Sequence, residues 1–278
     1  MADPITSKYG DYEPDLGDTP QVQLSVSPSG AAEVVLDRPD KRNSFNAEVI
    51  AGLHRAFETL QGADEVRVVF LRGAGASFSA GADLDWMRAQ AAASESDNRA
   101  DAAELARMLK ALHDIPALTV ALVQGAAMGG GAGLVAACDM AIATPDAQFA
   151  FSEVRLGLTP ATISPYVVQA VGPRRARALF ATGRRFGAED ALRFGLINDI
   201  DPDLGAAQER IATEMTACAP GAVGEAKRLV DLVHGARIDR GLMDETARRI
   251  AAQRASAEGR EGVTAFLERR RPNWAEDT

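Results

Sequence analysis

Two short stretches carry residue types from which chemistry could be built. In "MGGGAGLVAACD", Met128 to Asp139, Gly129, Gly130 and Gly131 stand in a row ahead of an apolar run. Glycine weakens helices and strands alike, so a triplet marks backbone that must approach something closely or take φ > 0. "LVQG" before it reads as a strand end and "AGLVAAC" as a helix start, which places the triplet in a strand-to-helix turn. A helix N-terminus offers unpaired N–H groups and about half a unit of positive charge, suiting a phosphate, a carboxylate or a developing oxyanion. No Lys-Ser/Thr follows the glycines and their spacing is not a dinucleotide fingerprint, which disfavours a nucleotide phosphate. A close helix–strand contact is the purely structural alternative. A second stretch, "SFSAGADLDWM" from Ser77 to Met87, follows a strand in the same way, with Ala80-Gly81-Ala82 and then Asp83. Two such turns at the ends of neighbouring strands can aim two N–H groups at one atom, the geometry of an oxyanion hole.

The elements that must hold these turns are legible in the pattern. "VQLSVS" and "AEVVLD" flank "PSG" and predict a hairpin. "AEVIAGLHRAFETL" has helical spacing with Asn46 as its N-cap, and "VRVVFLRG" and "ALTVALVQG" read as buried strands. Strand, helix, strand in this order points to an α/β fold with a mainly parallel sheet. Ser164 before Pro165 reads as a further N-cap with proline at the first helical position. Beyond about residue 201 the pattern is almost wholly helical, in more amphipathic helices than can bury their faces on one another. Residues 1–18 are polar and aperiodic and read as a disordered tail; 19–200 read as the core and 201–278 as a helical oligomerisation region.

Composition narrows the function. The 278 residues carry a net charge of −9, which argues against nucleic acid and anionic membranes as partners. No apolar stretch approaches the roughly 18 residues of a membrane span, and the N-terminal residues lack a signal-peptide core. Cys138 and Cys218 sit in apolar, helix-like surroundings and read as buried reduced thiols of a cytoplasmic protein. They and the lone His54, His113 and His234 lack metal-ligand spacing, so no metal is expected.

In these motifs and their order the chain resembles the enoyl-CoA hydratase/isomerase (crotonase) superfamily, from about residue 20 to 274. "LDRPDKRNSFN", "SFSAGADL", "VQGAAMGGGAGLVAACDMAIA", "FAFSEVRLGLTP" and "EGVTAFLERRRPNW" carry the likeness. The resemblance implies a spiral of ββα units with a C-terminal trimerisation region, hence a homotrimer or dimer of trimers. It implies an acyl-CoA thioester substrate, with coenzyme A part of that substrate and no separate cofactor. The thioester oxygen would lie between the N–H groups of Ala82 and Gly130. Hydratases of the family usually carry two glutamates. The position of the first is Gly133 here; the second matches Glu153, with Ser152 where proline is usual. The resemblance therefore implies Glu153 as general acid and base, desolvated against Phe151, Val154 and Leu156. Hydration of the 2,3 double bond is the expected reaction. A Δ3,Δ2-enoyl-CoA isomerase with Glu153 as proton shuttle and a noncatalytic CoA-binding protein are the alternatives.

The likeness extends to the bacterial branch of methylglutaconyl-CoA-type hydratases of leucine breakdown, whose acyl chains bear a carboxylate. By family mode, Ala80, Gly81 and the "DKRNSF" loop would bracket the adenine, with Lys41 and Arg42 near the phosphates. Asp83, Leu84, Met128, Gly129 and Gly133 would complete the substrate contacts. Trp86 and Met87 are open between lining the acyl pocket and packing a helix.

Overall fold

A computed structural model describes residues 21–275; the expected disordered tail lies outside the described residues. The chain opens with the expected hairpin, β1 (Val22–Val26) antiparallel to β2 (Ala31–Leu36). Helix α1 (Ala47–Gln61) follows, capped by Asn46, whose side chain accepts the Val49 N–H. Strand β3 (Val68–Gly73) leads through the Ala80–Ala82 turn to α2 (Leu84–Ala92) and α3 (Glu95–His113). Then come β4 (Leu118–Val123), β5 (Ala126–Met128) and α4 (Gly130–Ala137). Strands β6 (Met140–Ala143) and β7 (Gln148–Ala150) precede a 3-10 turn at Glu153–Leu156, α5 (Ser164–Val171) and α6 (Pro173–Thr182). The short β8 (Phe186–Gly187), α7 (Ala188–Phe194) and β9 (Asp199–Ile200) complete the sheets. Four helices end the chain: α8 (Leu204–Thr216), α9 (Pro220–Val233), α10 (Arg240–Ala255) and α11 (Ala257–Glu268).

The strands form two layers. The main sheet runs β1-β2-β3-β4-β6-β9, parallel from β2 onward. The smaller sheet is β5-β7-β8, widened by a parallel bridge between Ser79 and Ala127. Three times the chain leaves the main sheet, adds a rung to the second and enters a helix: β3, Ser79, α2; β4, β5, α4; β6, β7, α5. This is the expected ββα spiral. Its stacking puts the Ser79–Asp83 segment, the Met128–Gly131 segment and the residues after Ala150 side by side.

Several local expectations are corrected. The strand in "ALTVALVQG" ends at Val123, and the triplet follows β5 instead. Gly125, at φ +59 and so close that a Cβ would lie 2.1 Å from Ala76 O, turns the chain from one sheet to the other. Helix α4 already starts at Gly130, so two triplet glycines lie in its first turn. The N-cap of α5 is Ile163; Ser164 occupies the first helical position and its hydroxyl donates back to Ala161 O. Neither cysteine is the fully buried thiol expected: Cys138 is half-buried and Cys218, just past the end of α8, is exposed.

One core fills the space between the sheets and α1, α3, α4 and α5. A second cluster lies on the outer face of the main sheet, where Ala207 and Ile211 of α8 cover Val68, Phe70, Val120, Leu122 and Ile142. Helix α8 therefore lies with the core, although the boundary at 201 placed it with the C-terminal helices. Helix α9 reaches the core through Lys227, whose ammonium donates to Ile115 O (2.6 Å) and Ala117 O (2.9 Å) and pairs with Asp139 at 2.6 Å.

Candidate active site

The first turn is assembled around residues that the motifs alone did not single out. Phe45 N–H donates to Gly81 O (2.7 Å) and Asp83 N–H to Phe45 O (2.8 Å), the pattern of a parallel bridge between Phe45 and Ala82. In such a bridge the central residue's own N–H points the other way. The Ala82 N–H accordingly finds no acceptor among the described residues. Gly81 needs to be glycine twice over: its φ is +89, and a Cβ there would lie 2.9 Å from Met128 O. That contact, with the Met128 N–H donating to Ser79 O at 2.9 Å, sets the second turn directly beside the first.

The triplet glycines have three separate reasons to lack a side chain. Gly129, the N-cap of α4, has φ +50, and a Cβ there would sit 3.1 Å from Glu153 Oε1. A Cβ on Gly130 would strike the Phe45 ring at 2.8 Å, and one on Gly131 would strike Ser79 Cβ at 2.7 Å. Close packing against Glu153, Phe45 and Ser79 therefore accounts for all three glycines. As the first helical residue, Gly130 has no intrahelical acceptor for its N–H.

Glu153 faces this helix start. Pairing of β7 with β5, including Gly129 N–H to Ala150 O at 2.9 Å, carries the chain over Gly129, and the 3-10 turn at Glu153 aims the carboxylate back at it. Its Oε2 is buried and has no hydrogen-bond partner. Burial pushes the carboxyl above its ordinary range, with only a bond from its own backbone N–H opposing. Of the expected apolar neighbours, Phe151 is fully buried, whereas Leu156 is 61% exposed.

Of the other residues singled out, Lys41, Arg42, Ala80, Ala82, Asp83 and Leu84 surround one open cavity of about 480 Å³, and Arg88 joins them. Lys41 lies 4.0 Å from Asp85, which Arg88 also engages. Arg42 and Asn43 both take left-handed backbone, φ 51 and 54, conformations that cluster where loops clamp ligands. The Asn43 side chain fixes that loop: it accepts the Arg38 N–H and donates to Ala74 O and Ser77 O, each at 2.8 Å. The Asn43 backbone carbonyl accepts the Ser79 hydroxyl, which in turn accepts the Gly81 N–H. Asn43 and Phe45 entered the sequence analysis only as parts of the "DKRNSF" loop and Ser79 only within "SFSAGADL", and Arg88 not at all; the one available signal for Asn43 was asparagine's tolerance of left-handed backbone.

Asp83, Trp86, Met87 and Gly133 have positions that change their reading. One Asp83 oxygen caps α2 by accepting the Asp85 and Trp86 N–H groups, and the other pairs with Arg38 at 2.8 Å. Burial alone would raise its pKa, but these bonds and the guanidinium hold it below the ordinary range. Its carboxylate is therefore consumed inside the protein although the residue borders the cavity. Trp86 packs against the core, the helix-packing alternative, and Met87 is half-buried outside the cavity. Gly133 is buried: a Cβ there would lie 2.2 Å from Ile163 Cγ2, so it faces Ile163 instead of a substrate. Among the described residues no group of His, Cys, Asp or Glu could hold a metal ion. No described helix is long and apolar enough to cross a membrane.

A two-layer ββα spiral with paired glycine turns facing one buried carboxylate is the architecture of the crotonase superfamily. The chain belongs to the enoyl-CoA hydratase/isomerase family, whose model matches residues 27–277. The crystal structure of an enoyl-CoA hydratase from Shewanella pealeana is 42% identical, with a TM-score of 0.89, covering 91% of this chain and 96% of that one. An enoyl-CoA isomerase/hydratase from Mycosarcoma maydis is 32% identical over 89% of this chain and 93% of its own. A Δ(3,5)-Δ(2,4)-dienoyl-CoA isomerase of Dictyostelium discoideum is 30% identical, covering 87% and 86%.

Proposed function

We propose that this protein is an enoyl-CoA hydratase working with one carboxylate. The observation that carries the reading is Glu153 Oε2, buried without a partner beside the start of α4, whose Gly130 N–H is also unpaired. An uncompensated buried oxygen costs about 1–3 kcal/mol and is kept where a substrate completes it. The N–H groups of Ala82 and Gly130 hold the thioester oxygen. Water attacks Cβ and its proton passes to Glu153; the alkene electrons move through Cα into the thioester as an enolate. Glu153 then returns a proton to Cα, so that H and OH have been added across the double bond. The raised pKa of Glu153 brings it toward the working pH of such a base and acid. Lys41, Arg42 and Arg88 meet the CoA phosphates, the substrate brings its own coenzyme A, and the chemistry calls for no separate cofactor. A carboxylate-bearing acyl chain, as in the leucine-breakdown branch, is the substrate class. Turnover takes place in the cytoplasm.

The assembly is a homotrimer or dimer of trimers. Its support is the apolar stripe Val263, Phe266 and Leu267 on α11, 58, 81 and 74% exposed.

The second reading is the Δ3,Δ2-enoyl-CoA isomerase, in which Glu153 moves a proton between Cα and Cγ. The filled space at Gly133, which leaves a single carboxylate, favours it. Incubation of 2-enoyl and 3-enoyl CoA esters in ¹⁸O-water, read by mass spectrometry, separates the two. Hydration installs ¹⁸O at Cβ with syn addition, because one group on one face performs both proton steps. Efficient 3-to-2 isomerisation with no solvent oxygen, across short, branched and carboxylated chains, overturns the hydratase.

A further inference from the structure

Gly129, the N-cap of α4, and Gly133 within the helix are joined by a Gly133 N–H to Gly129 O bond of 3.0 Å, one helical turn apart. Glu153 sits on the first and Ile163 on the second. Ile163 is 2% exposed, and its Cγ2 and Cβ lie 2.2 and 2.8 Å from where a Cβ on residue 133 would stand. Both atoms belong to a branched side chain fixed at the start of α5, where it lacks room to swing away. We infer that Ile163 is a specificity-determining residue: it closes the helix face beside Glu153 to any second acid–base group.

The consequence deepens the reading of Glu153 and rests on it. Two carboxylates on one face can divide the work, one activating water while the other protonates Cα. With Ile163 in place, every proton must pass through Glu153, and an apolar wall stands where a second group would order water. The partition of the enolate between addition of water and return of a proton is then set by a residue that never touches the substrate.

Two sets of variants test this. Gly133→Glu alone has no room, and its melting temperature falls steeply or folded protein is lost. Ile163→Gly removes both clashing atoms at an N-cap, where glycine is tolerated. The Gly133→Glu/Ile163→Gly protein refolds, gains a second ionisation in its kcat/KM–pH profile, and raises the ratio of ¹⁸O-hydration to isomerisation at least tenfold. A Gly133→Glu protein as stable as the parent overturns the inference. So does a folded double variant whose product ratio stays within twofold. Should the double variant not fold, a melting-temperature cycle of Gly133→Ala with Ile163→Gly decides. The inference requires Gly133→Ala to be tolerated only beside Ile163→Gly, and equal losses in both backgrounds sink it. That cycle needs no substrate. Retained turnover in Glu153→Gln would instead count against the reading of Glu153 and leave the wall standing.

Discussion

The spiral core and the last three helices use apolar residues in opposite ways. In the spiral core, Phe45, Phe57, Phe70, Phe78, Phe149 and Phe151 are all essentially without exposure. Helix α10 buries none of its residues, and α9 and α11 bury one small residue each, Gly224 and Ala265. Their large side chains, Val230, Met243, Ile250 and Phe266 among them, are more than half exposed. The core completes itself, so it can hold uncompensated polar atoms such as Glu153 Oε2 in a fixed place. The C-terminal helices meet it through polar links such as the Lys227 clasp and the His113–Asp231 pair, and leave large apolar side chains exposed.

The widest separation between the regions comes from changing the core's chemistry while leaving its packing. Glu153→Gln is expected to lower turnover by about 10²–10⁴-fold with CoA-ester affinity retained. The same substitution sharpens the contrast through stability. Because the folded pKa of Glu153 is raised, its contribution is fully present below the unfolded value of 4.5 and is lost as pH rises through the folded one. Glu153→Gln therefore raises the melting temperature at pH 8, and the gain vanishes by about pH 4. A gain independent of pH would contradict the burial of a charge.

Gly130→Pro deletes one proposed oxyanion donor at a helix position that accepts proline. A loss of about 10²–10³ in kcat is expected. The added carbon also meets Phe45, so circular dichroism and CoA-ester binding must show the fold retained. Normal turnover in a folded, binding variant would place the second donor elsewhere. Lys227→Met removes one of the links between the two regions, strands Ile115 O and Ala117 O, and leaves Asp139 only its Thr119 partners. A loss of about 2 kcal/mol is expected in denaturant unfolding, together with faster hydrogen exchange in α9–α11 than in the core.

Phe266→Ser with Leu267→Ser breaks the comparison from the other side. Unfolding of the core should move by less than about 0.5 kcal/mol, because neither residue is buried in the chain. Sedimentation should show the assembled mass falling to that of a monomer; an unchanged mass would remove α11 from the interface. The smallest effect belongs to the thiols. Cys218 should react with a thiol reagent in the native protein faster than the half-buried Cys138, whose thiol is pushed up by desolvation and by Asp139.

The sequence by itself determined the elements and the places where backbone comes close. Hydrophobic period set β1 to β4, α1 and the terminal helices, because period depends only on which face is buried. Glycines in strand-to-helix turns marked both candidate donor segments, because only glycine permits their φ angles and approaches. Motif likeness pointed to Glu153 and to the gap at Gly133. What that gap contains was decided by the tertiary structure alone: Ile163 lies thirty positions on, and nothing local links the two. The same holds for Asp83, whose carboxylate meets Arg38 across the fold, and for Trp86, whose amphipathic neighbourhood suits a pocket or a core equally. Nor could local pattern distinguish β5 from the strand before it, since three residues carry too little period. Contacts between residues distant in sequence are fixed by how layers stack, and a one-dimensional pattern records which residues seek burial but not which partners they find.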